Sequence, residues 1–450
     1  MAIPPLFETQ RIGVERWLAT PKMLNLSDPG TGKTRTSLEA IVQRCTGKRT
    51  LVLAPLSILQ PAWANDIEKW TPSLSCGIAY ASNRAKAFRT KTDVVVTNHD
   101  AVKWILDNIE VVGDFDTLIV DEFTAFKNPT AKRTKALMAL SNHFEYIYML
   151  SGTPNPKSIL DLWAPTFIVD KGERLGRLFN KFRSEVCFPR QVGKNAMAVQ
   201  WQDRTGAVDK VMAAIDDIVY RVPLEGLPEN REYTMSVEIP RDLMRKYREL
   251  QRESVLALEN GEQITAVHAG ARVKKLLQLL TGAVYDEHGE AQLVHTERYD
   301  LVMQLVDERP QTVVAFNWRH ERVNLEKLAQ KMGISYGVID GTVPVSEREQ
   351  IVRDFQAGKL RTIFAHPQSA GHGLTLTAGH ATIWCSPTYN AEHYQQFNRR
   401  IYRTGQTKRT ETIRIAAKGT CENDVYDNLD GKLSNMSDLL TIALQISKVA

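Results

Sequence analysis

The stretch from residue 23 to residue 45 restricts the fold more than any other part of this chain. An apolar run, 23–26, leads into Ser27-Asp28-Pro29-Gly30-Thr31-Gly32-Lys33-Thr34, after which Leu38, Ile41, Val42 and Cys45 recur at helical spacing. A strand that turns through a glycine loop into an amphipathic helix aims several backbone N–H groups at one point, and the helix N-terminus adds the positive end of its dipole. Gly30 and Gly32 let the backbone approach a phosphate without a Cβ in the way. Lys33 is then placed for the β- and γ-phosphates and the Thr34 hydroxyl for Mg²⁺. The expected cradle is Asp28, Gly30, Thr31, Gly32, Lys33 and Thr34, with ATP as the ligand. The first position is Ser27, where this loop type usually carries glycine. A glycine turn before a basic helix is the plainer alternative, and the strand–loop–helix context disfavours it.

Further strand-length apolar runs follow at 51–54, 94–97, 118–120 and 146–150, with helical periodicity between them. The last third repeats the arrangement at 313–316, 336–339, 362–365, 382–384 and 412–415. Strands alternating with helices predict parallel βαβ units. Between roughly 165 and 292 the texture changes, with helical stretches at 243–258 and 273–280. The expected architecture is therefore α/β: one lobe over 1–164, a mainly helical insertion and linker over 165–292, and a second lobe over 293–450.

Ligands in open α/β sheets sit beyond the carboxyl ends of the strands. The run 118–120 ends in Asp121-Glu122, which puts two carboxylates at such a tip. Phosphoryl transfer to water needs an acid to hold Mg²⁺ and a group to position the attacking water. Asp121 fits the first role and Glu122 the second. Such a pair alone is usually a solvated turn; beside the glycine loop it reads as catalytic.

Composition narrows the class further. The chain has 450 residues, 43% of them apolar and 24% charged, enough for two or three globular domains. No apolar run reaches membrane-spanning length, and MAIPPLFETQR at the start lacks a secretory signal. Five cysteines are scattered without a C-x-x-C pair, which suits a reducing, intracellular compartment and argues against a zinc module. The net charge of +5 leans only slightly toward polyanions.

One more segment, 396–406, carries Gln396, Arg400 and Arg403. On a helix, arginines three residues apart share a face, and such a pair can reach across a cleft to a γ-phosphate. On spacing alone, a solvated basic helix or a plain DNA contact explains the pair as well or better. Trp104, Trp318, Trp384 and Tyr389 suggest base stacking, although aromatics near strand ends are more often core.

Taken in order, these residues resemble the SNF2-like ATPases of helicase superfamily 2 over nearly the whole chain. Leu6-Phe7-Glu8-Thr9-Gln10 looks like the Q motif, and Leu51-Val52-Leu53-Ala54-Pro55-Leu56-Ser57 with Trp63 like motif Ia. Asp93-Val94-Val95-Val96-Thr97-Asn98 resembles motif Ib, Asp121-Glu122-Phe123-Thr124 motif II, and Ser151-Gly152-Thr153-Pro154 motif III. In the second lobe Val313-Val314-Ala315-Phe316 resembles motif IV, Ile339-Asp340-Gly341 with Glu347-Arg348 the "DG…ER" stretch, Ser369 to Leu376 motif V, and Gln396 to Gln406 motif VI. Thr124 stands where many members carry histidine, which bears on how strongly nucleotide state couples to DNA. The stretch 373–377 and the pattern over 182–228 resemble the annealing-helicase, fork-remodelling branch.

The resemblance implies two RecA-like lobes in tandem that share one ATP. It implies a role for Gln10 in reading adenine, for Gly373 and Gln396 in the nucleotide site, and for Arg400 and Arg403 as arginine fingers. It implies sequence-neutral contacts to double-stranded or branched DNA from Thr97, Asn98, Lys127, Thr153, Asn317 and Thr375. The expected activity is ATP-dependent translocation on duplex DNA. Two alternatives share the ATPase residues: a strand-separating helicase acting on DNA or RNA, and a nucleotide-gated DNA scaffold with little hydrolysis. The chain begins a few residues before Gln10, as expected of a minimal motor of viral or bacterial type, cytoplasmic or nucleoid-associated, with a monomer as the default.

Overall fold

The computed structural model describes residues 3–152, 158–191, 199–224, 226–259, 274–285, 291–293, 295–370, 374–388 and 390–429. Two compact units divide the chain, 1–225 and 226–450.

Among the described residues, nine strands belong to the first unit: β1 (Lys22–Asn25), β2 (Arg49–Ala54), β3 (Cys76–Ala79), β4 (Val94–Asn98), β5 (Phe115–Asp121), β6 (Tyr146–Leu150), β7 (Cys187–Gln191), β8 (Val199–Asp203) and β9 (Val219–Tyr220). Seven of them build one sheet in the order β3-β4-β2-β5-β6-β1-β9, parallel throughout. Its central strands carry apolar side chains on both faces because helices cover both; every residue of β2 is buried. Two cores result, one around Leu51, Leu118 and Phe126, the other around Trp17, Leu38 and Trp63. β7 and β8 form a separate antiparallel pair.

Among the described residues, eight strands belong to the second unit: β10 (Asn230–Val237), β11 (Ala283–Tyr285), β12 (Ala291–Leu293), β13 (Thr312–Ala315), β14 (Tyr336–Ile339), β15 (Thr362–Ala365), β16 (Ala381–Trp384) and β17 (Thr410–Ala417). Six form a parallel sheet in the order β10-β17-β16-β13-β15-β14. The expected boundaries at 164/165 and 292/293 do not coincide with the division between units. The middle stretch is mainly helical among its described residues, and it also adds β9 to the first sheet and β10 to the second. The helix Arg241–Glu259 matches the expected one at 243–258. Among the described residues no helix is long and apolar enough to cross a membrane.

The second core encloses an ion pair. Arg298 Nη2 donates to Glu422 Oε2 at 2.6 Å, with both side chains fully buried. The Arg298 guanidinium also donates to the carbonyls of Cys385 and Ile415, and Glu422 accepts from Ala417 N at 2.6 Å. The pair thus joins the carboxyl ends of β16 and β17 to the helix Glu297–Asp307. Arg298→Met strands the Glu422 carboxylate in a dry core and is expected to cost about 3–5 kcal/mol, read as a lower urea midpoint. Adding Glu422→Gln should restore much of that loss; a single variant as stable as the parent would show the pair to be dispensable.

Candidate nucleotide site and basic turn

Strand register brings the first unit's chemistry to one edge. Asp121 pairs with Leu150, and Leu150 with Asn25, so the carboxylate strand and the glycine-loop strand end level with each other across β6. Chain then leaves β1 into the glycine loop and β5 into Asp121-Glu122.

The loop has the conformation its composition requires. Gly30 and Gly32 take positive φ values of 87° and 83°, where a side chain would be strained. Helix α2 (Lys33–Arg44) starts directly after Gly32. The Lys33 ammonium donates to the carbonyls of Ser27 at 2.7 Å and Asp28 at 3.1 Å, folding back over the cradle. Thr31 Oγ1 donates to the Asp28 carbonyl at 2.9 Å. Thr34 lies in the first turn of α2 and is half-buried. The far end of α2 departs from the expected periodicity: Cys45 caps the helix in a left-handed conformation and is exposed, while Thr36, Ser37, Leu38 and Ala40 form the buried face.

Two neighbours close on the loop. Helix α1 (Glu8–Ala19) buries Gln10, whose Oε1 accepts from Phe7 N at 3.0 Å. A Cβ on Gly32 would sit 2.2 Å from Gln10 Nε2, so that amide lies directly on the loop. A Cβ on Gly152 would come within 3.1 Å of Pro29 and 3.6 Å of Lys33 Nζ, which places the start of the Ser151-Gly152 segment against the same cradle.

At the tip of β5, Asp121 Oδ2 accepts from the Trp63 indole at 2.9 Å. Loss of water around Asp121 pushes its carboxyl above the usual range, and the Trp63 N–H and the Lys33 charge draw it partly back. His99 Nε2 meets the Asp121 carbonyl at 2.8 Å, and burial drives that imidazole down to about 4, keeping it neutral. Glu122 adopts a left-handed backbone, φ 57°, a costly conformation for a residue with a long side chain. Its Oε1 accepts from Thr124 Oγ1 at 3.0 Å and Ser151 Oγ at 3.4 Å. The turn thereby sends two successive carboxylates to different partners.

Residues expected to meet nucleic acid are more scattered. Thr97 does not qualify: it is fully buried and donates to the Ala79 carbonyl at 2.8 Å, because β4 is covered on both faces. Asn98, one residue on, reaches the edge and accepts from Arg84 Nη2 at 3.2 Å. Lys127 pairs with Asp161 at 3.2 Å. Thr153 lies outside the described residues.

In the second unit, Ile339, Ala365, Ala315, Trp384 and Arg414 align across five strands. Trp384 is core, as aromatics at strand ends usually are, and it anchors the arginine segment by donating to Asn398 Oδ1 at 2.8 Å. The helix Ala391–Asn398 stops before either arginine, which corrects the helical-face expectation. Arg400 and Arg403 sit instead in the turns that follow, and they converge nonetheless: their Nη1 atoms donate to the same carbonyl, Leu374, at 3.3 Å and 2.9 Å. Gln406 Nε2 donates to the carbonyls of Thr377, Gly379 and Ile401, and Leu376 N to the Arg400 carbonyl, so segments 374–379 and 396–406 are stitched together. Gln396 is buried, and among the described residues its Oε1 has no hydrogen-bond partner, while Nε2 donates to Glu392 at 3.2 Å. Asn317 Nδ2 donates to Ser386, and Thr375 is exposed. Gly373 and Tyr389 lie outside the described residues.

Trp63, His99 and Ser151 are the contributors that sequence reasoning assigned no role. His99 and Ser151 meet the Asp121-Glu122 turn from the ends of β4 and β6, and Trp63 from the helical turns that follow β2; the order of strands in the sheet brings them there.

Residues 22–283 match the SNF2-related domain, and residues 297–405 match the helicase conserved C-terminal domain. The chain is similar to protein p41 of Acyrthosiphon pisum secondary endosymbiont phage 1, 29% identical over 92% of this chain and 93% of that protein. It is similar to the SWI/SNF-related matrix-associated actin-dependent regulator of chromatin subfamily A-like protein 1 of Xenopus tropicalis, 23% identical over 95% of this chain and 44% of that protein. A third relative, named as the ATP-dependent helicase/translocase YwqA of Bacillus subtilis (strain 168), is 22% identical over 85% of this chain and 42% of its own length. The chain thus spans nearly all of the phage protein but less than half of the other two.

Proposed function

We propose, from the premise that this chain belongs to the SNF2-related family of ATP-dependent helicases and translocases, that it tracks along double-stranded DNA and remodels or anneals branched DNA. The observation that carries the ATPase half of the proposal is the convergence of Lys33, Asp121 and Glu122 at one sheet edge, with Gln10 lying on the loop between them.

In the proposed reaction a water oxygen attacks the γ-phosphorus, the bond to the β–γ bridging oxygen breaks, and ADP leaves. Lys33 exchanges the carbonyls of Ser27 and Asp28 for phosphate oxygens. The Glu122 carboxylate, oriented by Thr124 and Ser151, holds the water and accepts its proton. Gln10 selects adenine from its place against Gly32. The residues present suit Mg²⁺, which takes few protein ligands and fills its octahedron with water and phosphate oxygens; Asp121 and Thr34 would hold it there, and it would offset charge on the β- and γ-phosphates. Arg400 and Arg403 are assigned to the γ-phosphate, where charge builds in the transition state, with Gln396 and Gly373 beside them.

Asn98, Lys127, Asn317 and Thr375 remain the proposed DNA contacts, with Thr97 removed and Thr153 retained on its motif. Backbone contacts carry no sequence information, so binding should be sequence-neutral and weaken as salt rises. The fork-remodelling assignment rests on the patterns at 373–377 and 182–228. The proposed intracellular setting rests on the scattered cysteines, which form no C-x-x-C pair.

The test pairs triplex displacement with strand separation. A duplex translocase strips the third strand in an ATP-dependent way and leaves the duplex intact. Release of single strands from a forked duplex, without triplex stripping, would favour the strand-separating reading instead.

A further inference from the structure

The first unit's sheet edge carries a second concavity, far from the glycine loop. It has a volume of about 540 Å³ and is lined by the segment 81–86, Arg89, Thr90 and Trp104. Three of the lining residues are cationic, Arg84, Lys86 and Arg89, and none is acidic. Most of the lining belongs to the connection between β3 and β4, whereas the glycine loop follows β1, four strands from β4 in the sheet order.

This is a built site. Arg49, itself buried, donates to the carbonyls of Phe88, Thr90 and Thr92 and so fixes the end of the short helix Arg84–Arg89. Arg84 is half-buried; its Nη2 donates to Asn98 Oδ1, and its enclosed Nε has no hydrogen-bond partner among the described residues. The guanidinium rests over the Trp104 ring at 5.5 Å, and that ring packs on Phe88 at 5.7 Å. Trp104 therefore supports the arginine rather than offering itself to a base. Lys86 and Arg89 are exposed on the rim. Asp100 lies outside the lining, within 4.0 Å of Arg133, and its charge also faces Arg84.

We propose that this pocket is a docking site for the phosphodiester backbone of duplex DNA, with Arg84 reading one phosphate from inside and Lys86 and Arg89 gripping its neighbours. The assignment rests on the DNA-translocase reading and adds to it three contacts that none of the motifs contains. It makes Asn98 a bridge between the basic pocket and the strand end. A grip at this distance from the nucleotide lets the first unit hold DNA without engaging the ATP site.

The test is a duplex-binding titration with the full chain over a range of salt. Lys86→Ala with Arg89→Ala removes two phosphate contacts from exposed positions. It is expected to weaken binding about tenfold or more near 0.1 M salt and to flatten the slope of log affinity against log salt by about 1.8. An unchanged thermal midpoint verifies the fold. Duplex binding by the parent chain with the same affinity and slope in the double variant overturns the pocket and leaves the translocase reading standing. A loss confined to single-stranded DNA overturns it as well. Absence of any duplex binding by the parent chain overturns both.

Discussion

Lys33→Ala is expected to lower ATP turnover by on the order of 10³-fold, because charge building on the β- and γ-oxygens loses its one cation from the loop. The ammonium already sits over the cradle, held by two loop carbonyls that a phosphate can replace at little cost in rearrangement. Alanine removes these bonds as well, but the loop retains others: Ser27 Oγ accepts from Val222 N at 3.0 Å and Asp28 Oδ2 from Leu224 N at 3.1 Å. The variant should therefore fold. Phosphate release measured with and without duplex DNA decides the matter, and near-normal turnover in either condition would remove this loop from the reaction. The same assay on the parent chain separates a motor from a scaffold that hydrolyses little.

The second large effect belongs to Arg400. Arg400→Ala should leave ATP binding close to that of the parent and abolish most DNA-stimulated hydrolysis, a loss of about 10³-fold or more for an arginine that acts on the transition state. Because the side chain is buried and bonded to Gln396 and Leu374, alanine also removes packing. Arg400→Lys controls for this: it keeps the charge and most of the stem but loses the planar fork, and it should recover little activity. ATP affinity from nucleotide titration and turnover from phosphate release are read together. Turnover unchanged in both variants would reduce Arg400 to a structural cross-link between segments 374–379 and 396–406. Arg403→Ala, sharing the Leu374 carbonyl, should behave in the same direction.

What could be read from the sequence was what is encoded locally. Strand, loop and helix follow one another within 23–45, so the cradle was legible in a single short window. So was Asp121-Glu122, since an apolar strand ending in two acids announces its own tip. Thr97 shows the limit of this logic. In a sheet covered on both faces the penultimate strand residue is still interior, and only the last, Asn98, emerges. Arg400 and Arg403 do meet, but the helix ends at Asn398, and the turns beyond it, not helical periodicity, bring the two together. Trp63 could not have been linked to Asp121 without knowing that β2 lies beside β5. β9 and β10 were lost in the supposed linker, since two residues on one edge and a partly exposed strand on the other leave little periodic signal.

That short edge strand has a mechanical consequence. β9 runs alongside β1, and the residues just after it clasp the cradle through Val222 and Leu224. Only 225–229 then remain before β10 enters the second sheet. In the proposed motor, a pull along this stretch is expected to reach first the two amides that hold Ser27 and Asp28, so tension on the chain and occupancy of the loop would each alter the cost of the other.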